Sequence, residues 1–337
     1  MRYDFGSDNT AGMAPAALQG LIDANAGYAK AYGADDVTER AKQEIRQRLD
    51  ADADIRFVFS GTAANAIALS MLAYPHEAVL AHHAAHVCTD ETGAPGFFGQ
   101  GVGLIGLPGL SGKIDQRALE AALDEPEVGH RQPPAALSLT QSTEYGTVYT
   151  EEELRHLIEP VKAKGYGVHM DGARLANATA AGFDLTQIAR LGVDVLVFGG
   201  AKAGGLCTEA IVLFDKSLGR RLDNRLKQAG QQASKARYLA APFLGMLETN
   251  AWEDGAAHAN LMAQRLAAGI ATRSPYVLAH PVEANAVFVR MPAKAHAQLN
   301  DLGWACYRFD DGSVRFVSSW ATDEGAVDEI IEAIAGL

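Results

Sequence analysis

Residues 167–174 read GVHMDGAR and residues 195–205 read VLVFGGAKAGG, with LANATAAGFDLTQIARLG at 175–192 between them. Each outer run is apolar and β-rich, and each ends in a charged residue among small ones: Asp171 in the first, Lys202 in the second. The stretch between them carries apolar residues at helical spacing over Leu175–Ala181 and Leu185–Gly192. Strand, helical crossover and strand make a βαβ unit, which sets the two strands parallel in one sheet. Open sheets of this kind bind ligands beyond the carboxyl ends of their strands. Asp171 and Lys202 therefore stand where a ligand would lie.

The same alternation runs from about residue 36 to 215. Strands are predicted at Ile55–Phe59, Ala78–Leu80, Gly103–Leu107, Ala135–Leu139, Gly167–Met170, Asp194–Phe198 and Ala210–Leu213. Helices are predicted at Val37–Leu49, Asn65–Leu72, Asp115–Asp124 and Thr150–Lys164, the last opened by a Thr150-Glu-Glu-Glu153 capping box. This is an α/β pattern with a mostly parallel central sheet. After Leu213 come a basic helix at Leu218–Ala229 and one long helix over Ala233–Ala267. The chain closes as a smaller α+β layer, with strands at Ala286–Met291, Ala305–Phe309 and Ser313–Ser318 and helices at Ala293–Leu302 and Thr322–Ile334. The expected division is an arm at 1–17, a large α/β domain at 18–245 and a small domain at 246–337.

With 337 residues, 48% hydrophobic and 21% charged, the composition is that of a globular chain, not a disordered or fibrous one. The net charge of −12 disfavours a nucleic-acid surface. Three cysteines lie far apart with no CxxC, which suits a reducing compartment. The start has no signal-peptide apolar region, and no apolar run nears the ~20 residues of a spanning helix. A cytoplasmic protein without membrane or nucleic-acid partners is expected. Two motifs carry little. Gly101-Val-Gly103-Leu-Ile-Gly106 matches GxGxxG, but its glycines lie in and before a strand and do not open a helix. His82-His83-Ala-Ala-His86 sets histidines four apart without the glutamate of HExxH.

A third segment completes the picture. Phe57-Val-Phe-Ser-Gly61-Thr62-Ala63-Ala-Asn65 is a strand that ends in small polar residues and opens a helix, a place where free backbone N–H groups meet an anion. Its simpler reading is an N-cap by Ser60 or Thr62. Taken together, an anion cup, a carboxylate and an amine on sheet edges match pyridoxal 5′-phosphate (PLP): phosphate, ring nitrogen and aldehyde each have a partner.

On these residues the chain resembles the low-specificity L-threonine aldolases, fold type I PLP enzymes of the β-eliminating lyase group. The resemblance covers essentially the whole chain. It includes Asp4-Phe-Gly-Ser-Asp-Asn-Thr10, Ser60-Gly-Thr-Ala-Ala-Asn65, His86-Val-Cys-Thr-Asp-Glu91, Thr140-Gln-Ser-Thr-Glu144, His169-Met-Asp-Gly-Ala-Arg174, the Lys202 loop and Val314-Arg315. It implies the PLP-dependent transferase-like fold, with the cofactor carried covalently by Lys202. Asp171 is implied at the ring nitrogen, His86 over the ring, and Gly61, Thr62 and the Ala63 backbone at the phosphate. Ser7, Arg174 and Arg315 are implied around the substrate carboxylate, Arg174 also in reach of the cofactor's phenolic oxygen. Lys227, and less directly Arg225, are implied to reach a neighbouring subunit's phosphate, in a homodimer or homotetramer with sites at the interface.

The implied reaction is retro-aldol cleavage of a β-hydroxy-α-amino acid, L-threonine or L-allo-threonine, to glycine and an aldehyde. His86, or a water oriented by it or by Glu91, is the candidate base. Alternatives are another PLP lyase acting on a small amino acid (β-elimination, phenylserine cleavage, serine hydroxymethyl transfer) and a non-catalytic binding module. Two positions depart from related bacterial sequences. Ala201 and Ala203 flank the lysine where Thr and Asn are common, and Ala176 replaces a frequent aromatic, leaving more room near the site.

Overall fold

The computed structural model describes residues 3–309 and 311–337, so the first two residues of the expected arm lie outside the description. The chain begins with the short strand β1 (Tyr3–Asp4). The central strands follow as β2 (Asp54–Val58), β3 (Ala78–His82), β4 (Gly103–Leu107), β5 (Pro134–Thr140), β6 (Gly167–Gly172), β7 (Val195–Gly199) and β8 (Glu209–Leu213). They form one sheet in the order β2-β8-β7-β6-β5-β3-β4. β4, β3, β5, β6 and β7 pair in parallel, while β8 runs antiparallel to both β7 and β2. Every residue of β3, β7 and β8 is buried, as expected of strands covered on both faces.

Local chemistry starts and stops the helices as the sequence indicated. Asp35, Ser60, Asp115 and Thr150 cap the helices Asp36–Leu49, Gly61–Leu72, Gln116–Asp124 and Glu151–Ala163, and the Thr150–Glu153 capping box is closed in both directions. Elsewhere tertiary contacts override the pattern. The expected long helix over Ala233–Ala267 is two helices, Arg237–Glu248 and Ala251–Arg273, broken at Asn250, which takes a left-handed conformation (φ 58°) that asparagine tolerates better than most residues. The turn lets Trp252 bury itself and donate its indole N–H to the Gly199 carbonyl at 2.9 Å. The crossover helix expected at Leu185–Gly192 shrinks to Gln187–Arg190, and the basic helix to Leu222–Gln228.

The remaining strands are β9 (Val277–Leu278), β10 (Ala286–Arg290), β11 (Trp304–Ala305), β12 (Tyr307–Arg308) and β13 (Ser313–Val317). β12-β13-β10-β9 form an antiparallel sheet, and β11 pairs in parallel with β1. Helices Ala293–Asp301 and Glu324–Ala335 belong to this layer. Its core holds Val287, Val289, Phe316, Ile330 and Ile334, and Phe5 from the chain start. Helix Ala251–Arg273 joins the layers, placing Trp252 and Ala256 in the main core and Met262–Ile270 in the smaller one. The chain's start is thereby drawn to the carboxyl edge of the central sheet, where Asp8 bonds Arg174. Among the described residues no helix is long and apolar enough to cross a membrane.

Candidate active site

The ends of β5 and β6, the loop after β7, the start of helix Gly61–Leu72 and the short helix His86–Thr89 meet around one cavity. Gly61, Thr62, His86, Asp171, Arg174 and Lys202 line it, together with Asn65, Thr140, Ser142, Glu144 and Ala173. Six of the residues singled out from sequence are thus brought together by the fold.

At the helix start, Ser60 Oγ accepts the Ala63 N–H at 3.3 Å. The plain capping reading is therefore realised, at the Ala63 amide. Ala63, expected at the phosphate, has its N–H taken by Ser60, whereas Gly61 and Thr62 face the cavity. First-turn amides have no acceptor within their own helix, so an anion there gains hydrogen bonds and the positive helix end.

One turn further, Asn65 Nδ2 donates to Asp171 Oδ2 and to Glu91 Oε1, each at 2.8 Å. Asp171 Oδ1 accepts the Ala173 N–H at 2.9 Å. Burial works against the Asp171 charge, but Lys202 and these donors outweigh it and hold its carboxyl below the usual range. Behind it His169 is buried and bonded through Nδ1 to Ser138 Oγ at 2.9 Å; burial pushes its pKa down to about 4, so it is neutral. The His86 Nδ1 pairs with the buried Glu91 Oε1 at 2.9 Å, and that bond raises the imidazole's pKa against the opposing effect of burial.

Lys202 sits in a loop that only glycine permits: a Cβ on Gly199 would strike the Ala173 and Gly172 carbonyl oxygens, and one on Gly200 the Phe243 ring. Desolvation, then the positive charge of Arg174, push the Lys202 amine below its usual range, against the pull of Asp8, Asp171 and Glu209. Glu209, which the sequence reading missed, lies buried under this loop and accepts the Gly200 N–H at 2.7 Å. Burial lifts its pKa to about 7.

The arginines form a second cluster. Arg174 Nε and Nη2 make a two-pronged pair with Asp8 Oδ2 and Oδ1 at 2.7 and 3.0 Å, and Asn285 Nδ2 adds a bond to Asp8 at 3.1 Å. Burial opposes the Asp8 charge, yet Arg174 and Lys202 prevail and lower its pKa. Arg315 Nη2 donates to the Gly6 carbonyl at 3.0 Å, while its Nε is buried with no partner. Burial, then repulsion from Arg174, lower the Arg315 pKa to about 10, and Phe309 and Tyr307 lie against its guanidinium. Ser7, between Gly6 and Asp8, caps the turn Asp8–Thr10 through Oγ.

One expectation falls elsewhere, that for Ala176, while Lys227 and Arg225, expected at a neighbouring subunit's phosphate, stand outside this chain's own cavity. Lys227 does not line the cavity; its ammonium lies 4.8 Å from the Tyr32 ring centroid, and Arg225 Nη2 bonds the Phe98 carbonyl. Ala176 is buried in the main apolar core, so it opens no space in the cavity. Asn65, Asp8 and Glu209 were not singled out. Asn65 left a signal, a lone amide in an otherwise apolar helix; Asp8 left none, because its partners are far away in sequence.

The profile of the β-eliminating lyases matches residues 4–294. The chain belongs to the β-eliminating lyase family. The low specificity L-threonine aldolase of Pseudomonas sp. (strain NCIMB 10558) is 42% identical over 97% of this chain and 95% of its own. The protein of that name from Pseudomonas aeruginosa is also 42% identical, over 98% of this chain and 96% of its own. A solved Leishmania major threonine aldolase superposes with a TM-score of 0.92 at 32% identity, covering 98% of each chain. The fold is that of the type I PLP enzymes, and PLP is the cofactor of this lyase, bound on a lysine. The residues present fit it: a desolvated amine, an ionised buried carboxylate and an open helix start share one cavity, with Ser142 Oγ buried and unpartnered beside them.

Proposed function

We propose that this β-eliminating lyase cleaves L-threonine or L-allo-threonine to glycine and acetaldehyde, reversibly. The observation that carries the site assignment is the desolvated Lys202 amine sharing a cavity with the ionised Asp171. Lys202 would bear the cofactor covalently and Asp171 would hold its ring nitrogen protonated. Gly61 and Thr62, with Ala63 behind them, would hold the phosphate, and His86 would cover the ring, braced by Glu91. When bound, PLP supplies an electron sink for the bond broken at Cα.

The chain's own residues decide which bond that is. Arg315 has an open buried donor, and a substrate carboxylate there would gain a charge-assisted bond. Arg174, fixed by Asp8, and Ser7 complete that end. A carboxylate anchored on one side leaves the Cα–Cβ bond to be directed by the rest of the cavity.

We further infer a homodimer or homotetramer in which Lys227 serves a neighbouring site. Large exposed apolar side chains at Tyr28 and Phe97 and the position of Lys227 outside its own cavity support this. A cytoplasmic location is in keeping with three unpaired cysteines. We take the expected arm, large domain and small domain as the working division.

Absorbance spectra of the purified protein with added PLP, followed by aldehyde assay with L-threonine, test the reading. A visible protein-bound band and released acetaldehyde are expected. A band without aldehyde from any β-hydroxy-α-amino acid sinks the aldolase reading and leaves a different lyase. No band at all sinks the Lys202 assignment.

A further inference from the structure

We propose that Glu144 is the catalytic residue that takes the β-hydroxyl proton of the substrate, an inference that rests on the aldolase reading above. Glu144 follows β5 and lines the same cavity as Lys202, Asp171 and His86. Its Oε1 accepts the His86 backbone N–H and the Thr140 hydroxyl, both at 2.9 Å, which fixes the carboxyl group in place. The other oxygen, Oε2, is buried and has no partner. A buried carboxyl oxygen left without a donor is costly, and one on a substrate cavity is complementary to an incoming O–H.

The charged and titratable groups around it favour this role over His86. From the segment after β3 come His86, Cys88 and Glu91; from the end of β6, Asp171 and Arg174; from the loop after β7, Lys202; and from its own strand's continuation, Tyr145 and Tyr149. Glu91 draws the His86 imidazole toward its protonated form, which has no lone pair left to accept a proton. Glu144 is moved the other way. Burial raises its pKa, Asp171 adds to the rise, and the His86 and Thr140 bonds only partly oppose it. A carboxylate shifted toward neutrality is better matched to abstract a proton at neutral pH.

The step balances within the substrate. The β O–H bond breaks and the proton bonds to Oε2. The O–H electron pair becomes the second C–O bond of the departing aldehyde as the Cα–Cβ bond breaks. The pair from that bond stays with the glycine fragment, a proton added at Cα from solvent completes glycine, and Oε2 returns its own proton to solvent. No oxidant or reductant enters.

Glu144→Gln keeps the size and the Oε1 acceptor while removing the base. Cleavage of L-threonine is expected to fall about 10²–10⁴-fold and to lose the acidic limb of its pH profile, whereas exchange of the glycine α-proton, which involves no β-hydroxyl, is retained. A second readout needs no cofactor. A carboxyl whose folded-state pKa is raised stabilises the fold at low pH and loses that contribution as pH rises, so as pH climbs above the ordinary carboxylate range the cofactor-free variant should lose less thermal stability than the wild type. Parallel loss of cleavage and exchange, or loss of neither, overturns the proposal. Should the Gln variant not fold, His86→Phe decides: the acidic limb survives if Glu144 is the base, and its disappearance overturns the assignment. Wild-type protein that exchanges the glycine proton but releases no aldehyde overturns the aldolase reading itself, and this inference with it.

Discussion

The cavity has two walls of unlike origin. One carries Asp171 on a strand and Lys202 in the loop that follows its parallel neighbour, a single βα unit apart. The other reaches the cavity through Arg174, which belongs to a cluster with Asp8, Asn285 and Arg315 in which Asp8 bonds a residue 166 positions away and another 277 away. The first wall is set by backbone hydrogen bonding within the sheet, which fixes where strand ends lie. The second exists only because β1 pairs with β11 and Phe5 enters the C-terminal core, bringing the chain's start over the sheet edge. The residues we propose to act on a bound cofactor sit on the rigid wall. Recognition of the substrate's carboxylate is the role we propose for the wall assembled from distant parts of the chain.

That contrast can be broken or sharpened by mutation. Lys202→Ala should have the largest effect: aldehyde release falls by more than about 10⁴-fold, the scale seen when a covalent catalytic group is removed, with the far-ultraviolet spectrum and thermal midpoint close to those of the wild type. Retained turnover would remove the sheet edge from the chemistry altogether.

Asp8→Ala strikes the other wall. It leaves Arg174 buried without its partner, and a loss of about 3–5 kcal/mol in denaturant stability is expected. The wild-type pair should also fail in acid: the Asp8 pKa is lowered on folding, so its contribution is full above the unfolded carboxyl range and is lost as pH falls from there through the lower folded value. KM for L-threonine should rise more than kcat falls, while the cofactor's visible band persists. A variant that lost the band but kept its stability would show that the two walls are not separable.

The smallest effect is expected under the lysine loop. Glu209 is raised to about 7, so its protonated form stabilises the fold below about pH 4.3 and that contribution is lost as pH rises toward 7. In cofactor-free protein, Glu209→Gln should flatten the decline of stability over this window by roughly 1–3 kcal/mol. Identical pH dependence in both proteins would mean that Glu209 is ionised throughout and serves only to hold the Gly200 N–H.

How much of the site could be read in advance follows from the same division. Asp171, Lys202 and the Gly61–Thr62 helix start were legible, because strand ends and caps declare themselves in short stretches. Arg174 was expected at the substrate end, but its two-pronged bond to Asp8 was not, since nothing near Asp8 distinguishes it from any other turn carboxylate. Glu209 reads as one acid entering an apolar strand; only the antiparallel pairing Gly199↔Glu209 puts it beneath the lysine loop. Ala176 shows the converse, in that sequence position suggested room near the site and burial in the apolar core denied it.

Within the fold, the sequence by itself determined the alternation of strands and helices, the caps, and the parallel core, since these follow from apolar periodicity and from local side-chain hydrogen bonds. It could not determine the break at Asn250, where the burial of Trp252 outweighs continued helix, nor the docking of Tyr3–Asp4 on Trp304–Ala305. Those were decided by contacts between residues far apart in the sequence, 53 positions for Trp252 and Gly199 and about 300 for β1 and β11, whose free energy appears only once the chain has collapsed and the entropy of closing those loops has been overcome.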